Sequence, residues 1–195
     1  MVGWGEMKYY LMAEKAEADG TVIYGDSHDM TELKTGSFLV DYENDDEEGE
    51  PFVGPLICKM DDEHVDGKMS TFFMSPAIIG TKQFYNDLLE VGIDNIEVHP
   101  VIIRDEVNSR TFDDYLLLNI IGRVSCADME TSEYESLGDD MNIIDELVLD
   151  SSKTHDLDLF LVDEDTDCIV ISERVYSHLV NKGYTDIYFE ELKQV

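Results

Sequence analysis

Apolar residues in the first third of the chain fall in short runs that are typical of strands. Lys8 to Met12 predicts an opening strand, and Thr21 to Tyr24 predicts a second one. Phe38-Leu39-Val40 begins a third run, which the acidic segment from Asp41 to Glu50 ends. The carboxylates of that segment repel one another and have no neighbouring cation, so we expect it to be a mobile loop in the free protein.

A first amphipathic helix is predicted between Thr81 and Gly92. Thr81 can cap its N-terminus, and Gly92 can take the left-handed conformation after the last turn. Phe84, Leu88 and Val91 lie on one face at helical spacing.

A second helix is predicted from a Ser172 cap to Gly183. Val175, Leu179 and Val180 are expected to point inward. We predict in particular that Val175 and Leu179 are buried and that Gly183 has a positive φ.

Further apolar runs predict strands in the rest of the chain. The run from 115 to 124 is compatible with a short helix or a buried strand, and its β-branched residues and Gly122 favour the strand. Asp163 to Asp167 predicts the acidic turn of a hairpin. The expected strands are Ile96–Ile103, Tyr115–Val124, Ile143–Leu149, Leu157–Val162, Cys168–Ile171 and Ile187–Phe189, and Thr71–Ser75 is a further apolar run.

The two helical segments share a spacing of cap, apolar residue, glycine and following isoleucine. Thr81 and Gly92 correspond to Ser172 and Gly183. Two related strand-helix-strand halves would produce this pattern, although any capped helix before a strand resembles it. The order of elements predicts an α+β fold with a mixed or antiparallel sheet and two or three helices. We expect one domain over residues 1–195, with sub-lobes at 1–104 and 105–195 as an option.

The charge of the chain narrows the range of partners. Asp and Glu total 45 and Lys and Arg total 13, so the formal net charge is -32. Such a surface repels nucleic acid and anionic membranes and attracts basic partners at long range. General acidity for solubility, or for a salty habitat, is the alternative explanation.

Cysteine usage and the N-terminus bear on location. Cys58, Cys126 and Cys168 are far apart and form no CxxC pair, which favours buried reduced thiols and a cytoplasmic protein. The first ten residues lack the basic and apolar regions of a signal peptide, so none is expected. The sequence contains no run of about 20 apolar residues, so no membrane span is predicted.

Catalytic and metal-binding motifs are not found in the sequence. Asp163, Asp165 and Asp167 have the spacing that begins an EF-hand loop, but Cys168 and Arg174 stand where glycine and a bidentate acid are needed. The five histidines show no ligand spacing, and no GxSxG or phosphate-binding loop occurs. We therefore predict no catalytic residue, no cofactor, no metal and no direct nucleic-acid binding, and the protein is not expected to be an enzyme.

Two tyrosines stand among acids and are candidate contact residues. Tyr42 lies in the first acidic segment and Tyr134 in a later one. An aromatic anchor ringed by carboxylates suits a basic protein surface, although a tyrosine can also simply cover local core. The candidate partner-binding residues are Asp41, Tyr42, Glu43, Asp45, Asp46, Glu47, Glu48, Asp163 and Asp165.

From about residue 70 to the end, the chain resembles a family of bacterial immunity proteins. Asn119 ends an apolar strand ahead of an acidic segment at 128–132, and a hairpin follows around Asp163. The run Ile-Val-Ile-Ser-Glu-Arg-Val-Tyr-Ser-His-Leu at 169–179 then precedes Gly183. The family belongs to polymorphic toxin systems and was formerly known only as a domain of unknown function.

The resemblance implies a non-enzymatic inhibitor that binds one cognate toxin and covers its active site. It supplies no functional residue, because the shared helix-and-glycine element is structural. An acidic inhibitor complements the positive groove of a toxin that acts on nucleic acid. A DNA-mimic or anti-defence protein is the alternative, and an acidic enzyme of unknown chemistry is a third possibility.

Overall fold

The computed structural model describes residues 7–15, 20–25, 33, 36–41, 50–52, 54–64, 66–138 and 141–195. The expected mobility of the segment from 41 to 50 concerns mainly residues 42–49, which lie outside this set.

Strands and two α-helices make up the described part of the chain, and the fold class is α+β as predicted. The helices are α1 (Lys82–Glu90) and α2 (Glu173–Lys182), and a short 3₁₀ turn covers Ser151–Lys153. The strands of the first half are β1 (Tyr9–Glu14), β2 (Ile23–Gly25), β3 (Val40–Asp41), β4 (Glu50–Pro51), β5 (Leu56–Met60), β6 (Phe72–Phe73), β7 (Ile79–Thr81) and β8 (Ile96–Asp105). Those of the second half are β9 (Arg110–Ile120), β10 (Arg123–Val124), β11 (Glu133–Gly138), β12 (Met141–Glu146), β13 (Val148–Leu149), β14 (Leu159–Val162), β15 (Ile169–Ser172), β16 (Ile187–Glu191) and β17 (Lys193–Gln194).

Two large sheets organise these strands. The first has six strands in the order β2-β5-β8-β9-β7-β6, and the second has five in the order β10-β14-β15-β1-β16. Both are mixed, because β5 runs parallel to β8 and β10 runs parallel to β14 while the other neighbours are antiparallel. Three pairs stand apart as two-stranded sheets, namely β3-β4, β11-β12 and β13-β17.

The same strand-helix-strand unit occurs in each large sheet. In the six-stranded sheet α1 connects β7 to β8, and both strands pair antiparallel with β9 between them. In the five-stranded sheet α2 connects β15 to β16, and both pair antiparallel with β1. Each helix thus joins two parallel strands across one antiparallel strand, which agrees with the shared spacing in the sequence.

Successive side chains along a strand point to opposite faces of the sheet, and both faces of both large sheets carry buried apolar side chains. Tyr10 and Leu118 contribute to a central core, which also contains the buried residues of α1 and α2. Their neighbours Tyr9 and Leu117 point the other way, into an outer core on the far side of each sheet. Because the central core takes residues from both sheets, we propose that the chain forms one domain.

The predicted N-terminal cap of α1 and the glycines predicted to follow both helices are confirmed. The Thr81 hydroxyl accepts a hydrogen bond from the Phe84 amide at 3.2 Å, and Gly92 has a φ of 90°. Val175 and Leu179 are fully buried, and Gly183 has a φ of 88°. The left-handed conformation at these positions lets the backbone N–H groups that follow the helix donate to its last carbonyls. Glycine adopts this conformation without the steric penalty that a side chain would add.

Three details of α2 and its surroundings differ from the sequence-based expectations. Ser172 occupies the N-cap position, but its hydroxyl donates to Asp158 at 2.5 Å and not to the helix. Val180 is exposed and not inward, because it lies about 100° around the helix from Leu179. The expected strand from 143 to 149 is divided into β12 and β13, which pair with different strands.

Replacement of Leu179 with alanine tests the central core. Leu179→Ala should lower the free energy of unfolding by about 2–5 kcal/mol, because the site is fully buried. Val180→Ala on the same helix is the matched control and should change it by less than about 0.5 kcal/mol. Denaturant melts of both variants measure the difference, and equal effects would contradict this description of the core.

Candidate functional site: an acidic hairpin surface

The hairpin of β11 and β12 projects from the two large sheets. All six residues of β11 are exposed, and among the described residues β11 pairs with β12 alone. Tyr134 lies opposite the partly buried Ile144, while Glu135 lies opposite the exposed Ile143. Because side chains alternate between faces, one face of the hairpin turns toward the outer core and the other toward solvent.

The turn between β14 and β15 joins this hairpin through its carboxylates. One oxygen of Asp165 accepts a hydrogen bond from the Ile144 amide at 2.9 Å, and the other accepts from the Asp167 amide at 3.0 Å. The Asn142 side chain donates to the carbonyl of Glu164 at 3.5 Å. We define the acidic hairpin surface as β11, β12 and this turn, residues 163–167.

Glu164 and Asp163 connect the turn to the segment at 123–127. Glu164 accepts hydrogen bonds from the Ser125 hydroxyl at 2.7 Å and from the Ala127 amide at 3.4 Å. Asp163 forms an exposed ion pair with Arg123 at 2.6 Å. The turn is therefore held in place by its own acidic side chains, and these contacts explain why four acids can stand in five residues.

Arg123 also lies beside the segment that leads into the first acidic loop. The Gly122 amide donates to the carbonyl of Gly36 at 2.8 Å. A side chain at Gly36 would collide with that of Arg123, since an added Cβ would lie 2.3 Å from its nearest carbon. Gly36 and Asp163 thus flank one arginine.

The residues predicted to contact a partner divide into three groups. Asp163 and Asp165 lie together in the acidic hairpin surface, although both oxygens of Asp165 accept internal hydrogen bonds. Asp41 belongs to β3, where it pairs with Glu50. The other candidates, Tyr42, Glu43, Asp45, Asp46, Glu47 and Glu48, lie outside the described residues.

Sequence reasoning singled out Tyr134 but missed the strand that carries it. The segment is polar and acidic, so no run of apolar residues indicated β11. Tyr134 is 43% exposed, Leu137 53% and Ile143 48%. β11 forms because this acidic segment pairs with the strand that contains Ile143 and Ile144. Such pairing is a contact between strands and leaves no local pattern in the sequence.

A cleft of about 510 Å³ lies between α1, α2 and the chain that follows α2. Asp87 is buried there and accepts hydrogen bonds from the Tyr184 hydroxyl at 2.6 Å and from Gln83 at 3.1 Å. Lys182 pairs with Asp87 at 2.9 Å and with Glu90 at 2.5 Å. Burial opposes ionisation of Asp87, but these partners outweigh it and hold its pKa below the usual value.

The same cleft contains a group of potential metal ligands. Asp87, Glu90 and His178 offer ligand atoms within 4.8 Å of one another. They come from two different helices, so no spacing in the sequence could indicate them. The Lys182 ammonium pairs with both carboxylates, and the cluster is explained as an interhelical ion-pair network.

Cysteine chemistry has no support in the geometry. Cys58, Cys126 and Cys168 are buried and form no disulfide with one another. Burial raises the pKa of Cys126 and that of Cys168 to about 12. A thiol with such a pKa is a poor nucleophile at neutral pH.

The described residues thus form an α+β protein with a large acidic surface and a projecting hairpin. Neither helix in that part of the chain has the length or apolar character to cross a membrane. A family model described as the immunity protein family Imm11 matches residues 58–194. The chain therefore belongs to the Imm11 family of immunity proteins, and this membership implies a partner toxin. A comparison with curated proteins finds no significant match.

Replacement of Asp87 with asparagine tests the interhelical network. Asp87→Asn should lower the free energy of unfolding by about 1–3 kcal/mol at pH 7, because charge-assisted hydrogen bonds are lost. The stabilisation from a lowered pKa is present above about pH 4 and disappears as pH falls through the folded-state value. The difference between the two proteins should therefore shrink in acid. Asp94→Asn, at an exposed position, is the control.

Replacement of Asp165 with alanine tests the connection between turn and hairpin. Asp165→Ala should raise the hydrogen-exchange rate of the Ile144 amide about tenfold, since the amide loses a carboxylate acceptor. Asp145→Ala, an exposed acid on the same strand, should leave that rate nearly unchanged. Equal protection of Ile144 in all three proteins would show that Asp165 does not hold the hairpin.

Proposed function

We propose that this chain neutralises a bacterial toxin of a polymorphic toxin system by binding it and covering its active site. Membership of the immunity family carries this proposal, because the matched residues 58–194 include the whole acidic hairpin surface. The proposed activity is binding alone, with no chemical step. Ion pairing with Lys182 accounts for the carboxylates of the cleft, and burial accounts for the raised pKa of Cys126.

Charge gives the proposed partner its chemistry. The net charge of -32 attracts a basic protein and repels nucleic acid. A toxin that acts on nucleic acid needs a positive substrate groove, and an acidic inhibitor complements such a groove. Polymorphic-toxin immunity and a basic toxin surface are therefore consistent with each other.

Asp163 and Asp165 remain candidate contributors to this contact. Asp163 has an exposed side chain that faces solvent beside Arg123. We propose that the acidic residues of the segment from Asp41 to Glu48 add to the same attractive field, as their composition indicates.

A cytoplasmic location fits the proposal. Three buried cysteines that form no disulfide with one another suit a reducing compartment. A bacterium that makes a toxin needs its inhibitor where the toxin would otherwise act.

The salt dependence of association tests the proposed role of charge. Steered association is faster than unsteered association by about 10–1,000-fold and slows as ionic strength rises, while the dissociation rate changes less. The measurement is stopped-flow binding to the toxin encoded beside this chain, at low and high salt, together with growth protection in cells that express the toxin.

Two outcomes would contradict different parts of the proposal. Association that is insensitive to salt would make the acidity a solubility trait and would remove the steering argument. A neighbouring gene product that neither binds nor is neutralised would remove the immunity proposal itself. Binding to DNA-binding proteins in competition with DNA would then favour the DNA-mimic alternative.

A further inference from the structure

Three exposed apolar side chains are concentrated on the β11–β12 hairpin. Tyr134, Leu137 and Ile143 occur within ten residues, and each is about half exposed. Single apolar residues are ordinary on a protein surface, but a group on a projecting element is typical of an interaction site. None of the three belongs to a buried core in the described part of the chain, although Ile144 beside Ile143 packs against one.

The register of the hairpin places part of this group on its solvent face. Glu135 and Ile143 lie opposite each other and share the solvent face, while Ile144 on the other face packs against the outer core of the five-stranded sheet. Tyr134 lies opposite Ile144 on that second face, but its side chain is still 43% exposed. Leu137 lies between the pairs formed by Ser136 and Gly138, where the register shifts. An extra residue at such a shift is freed from the ladder and bends the strand.

Carboxylates surround the apolar group. Between Arg123 and Lys153 the sequence contains no Lys, Arg or His, and its acids include Glu133, Glu135 and Asp145. These three side chains are exposed on the hairpin. The turn at 163–167 adds further acids along β12, where the Ile144 amide bonds to Asp165. Apolar residues within a ring of acids fit a partner that offers Lys or Arg around an apolar hollow.

A second copy of this chain is a poor occupant of the same surface. β11 has no further strand beside it in the described structure, and an open edge can in principle pair with a copy of itself. Edge-to-edge pairing of two copies would bring Glu133 and Glu135 against the same acids of the other chain. With a net charge of -32 on each, two copies repel one another.

We propose that the β11–β12 hairpin is the contact element that docks on a basic face of the partner, with Tyr134, Leu137 and Ile143 as its anchors. This inference rests on the proposed function, because the partner is the toxin. Tyrosine at the centre of an interface contributes strongly to affinity, and the aliphatic stems of Lys and Arg can cover Leu137 and Ile143. The surrounding carboxylates then meet the charged ends of those side chains.

The test compares two triple variants that remove similar exposed apolar surface. The hairpin variant is Tyr134→Ala, Leu137→Ser and Ile143→Ser. The control is Tyr24→Ala, Val107→Ser and Leu157→Ser, whose residues are also exposed but lie outside the hairpin. The probe is the toxin polypeptide encoded beside this chain, co-expressed with each variant, purified as a complex and then studied by dissociation kinetics. Thermal melting of each free variant checks that it folds.

The hairpin variant should raise the dissociation constant about 30-fold or more and reduce growth protection, whereas the control should bind like the wild type. Charge reversal at Glu133, Glu135 and Asp145 should chiefly slow association. Wild-type-like binding of both hairpin variants would overturn the docking proposal while leaving the proposed function intact. Failure of the wild type to bind would instead overturn the proposed function. A dimer of the free chain that the hairpin variant dissociates would overturn the basic partner in favour of a second copy.

Discussion

Burial of both faces of both large sheets is the constraint on which the rest of the structure depends. Alternating residues such as Tyr9 and Tyr10 supply two cores at once, so the apolar side chains of the long strands are consumed by the interior. The two helices close the central core between the sheets. The β11–β12 hairpin lies outside these layers, and three of its apolar side chains, Tyr134, Leu137 and Ile143, are exposed close together in sequence.

Many of the scarce cations lie next to carboxylates. Those that form ion pairs in the described structure are Lys8, Lys59, Arg110, Arg123, Lys153, Arg174, Lys182 and Lys193. Lys182 and Arg174 stabilise the helix pair directly, through Asp87 and through the carbonyl of Val91. Most of these cations are themselves exposed, but carboxylates greatly outnumber them, so the field around the protein would attract a basic partner.

Local signals in the sequence identified the elements that depend on local physics. The Thr81 cap, the left-handed glycines at 92 and 183 and the hairpin around residue 165 each follow from neighbouring residues and were predicted correctly. Strands that depend on a distant partner were not predicted correctly. β11 was missed, and β12 and β13 were predicted as one strand although they pair with different strands. For the proposed contact surface, the sequence indicated its charge and the candidates Tyr134, Asp163 and Asp165. It could not indicate that β12 lies between Tyr134 and the turn at 163–167, because that arrangement depends on contacts between distant segments.

Hydrogen exchange of the chain alone and in its complex with the toxin tests the central claim most directly. We expect new protection in the β11–β12 hairpin and in the turn at 163–167, with matching protection around the active site of the toxin. The amides around the cleft of Asp87 and Lys182 should show no new protection in the complex. New protection confined to that cleft, or a toxin whose active site stays as accessible as before, would contradict the account.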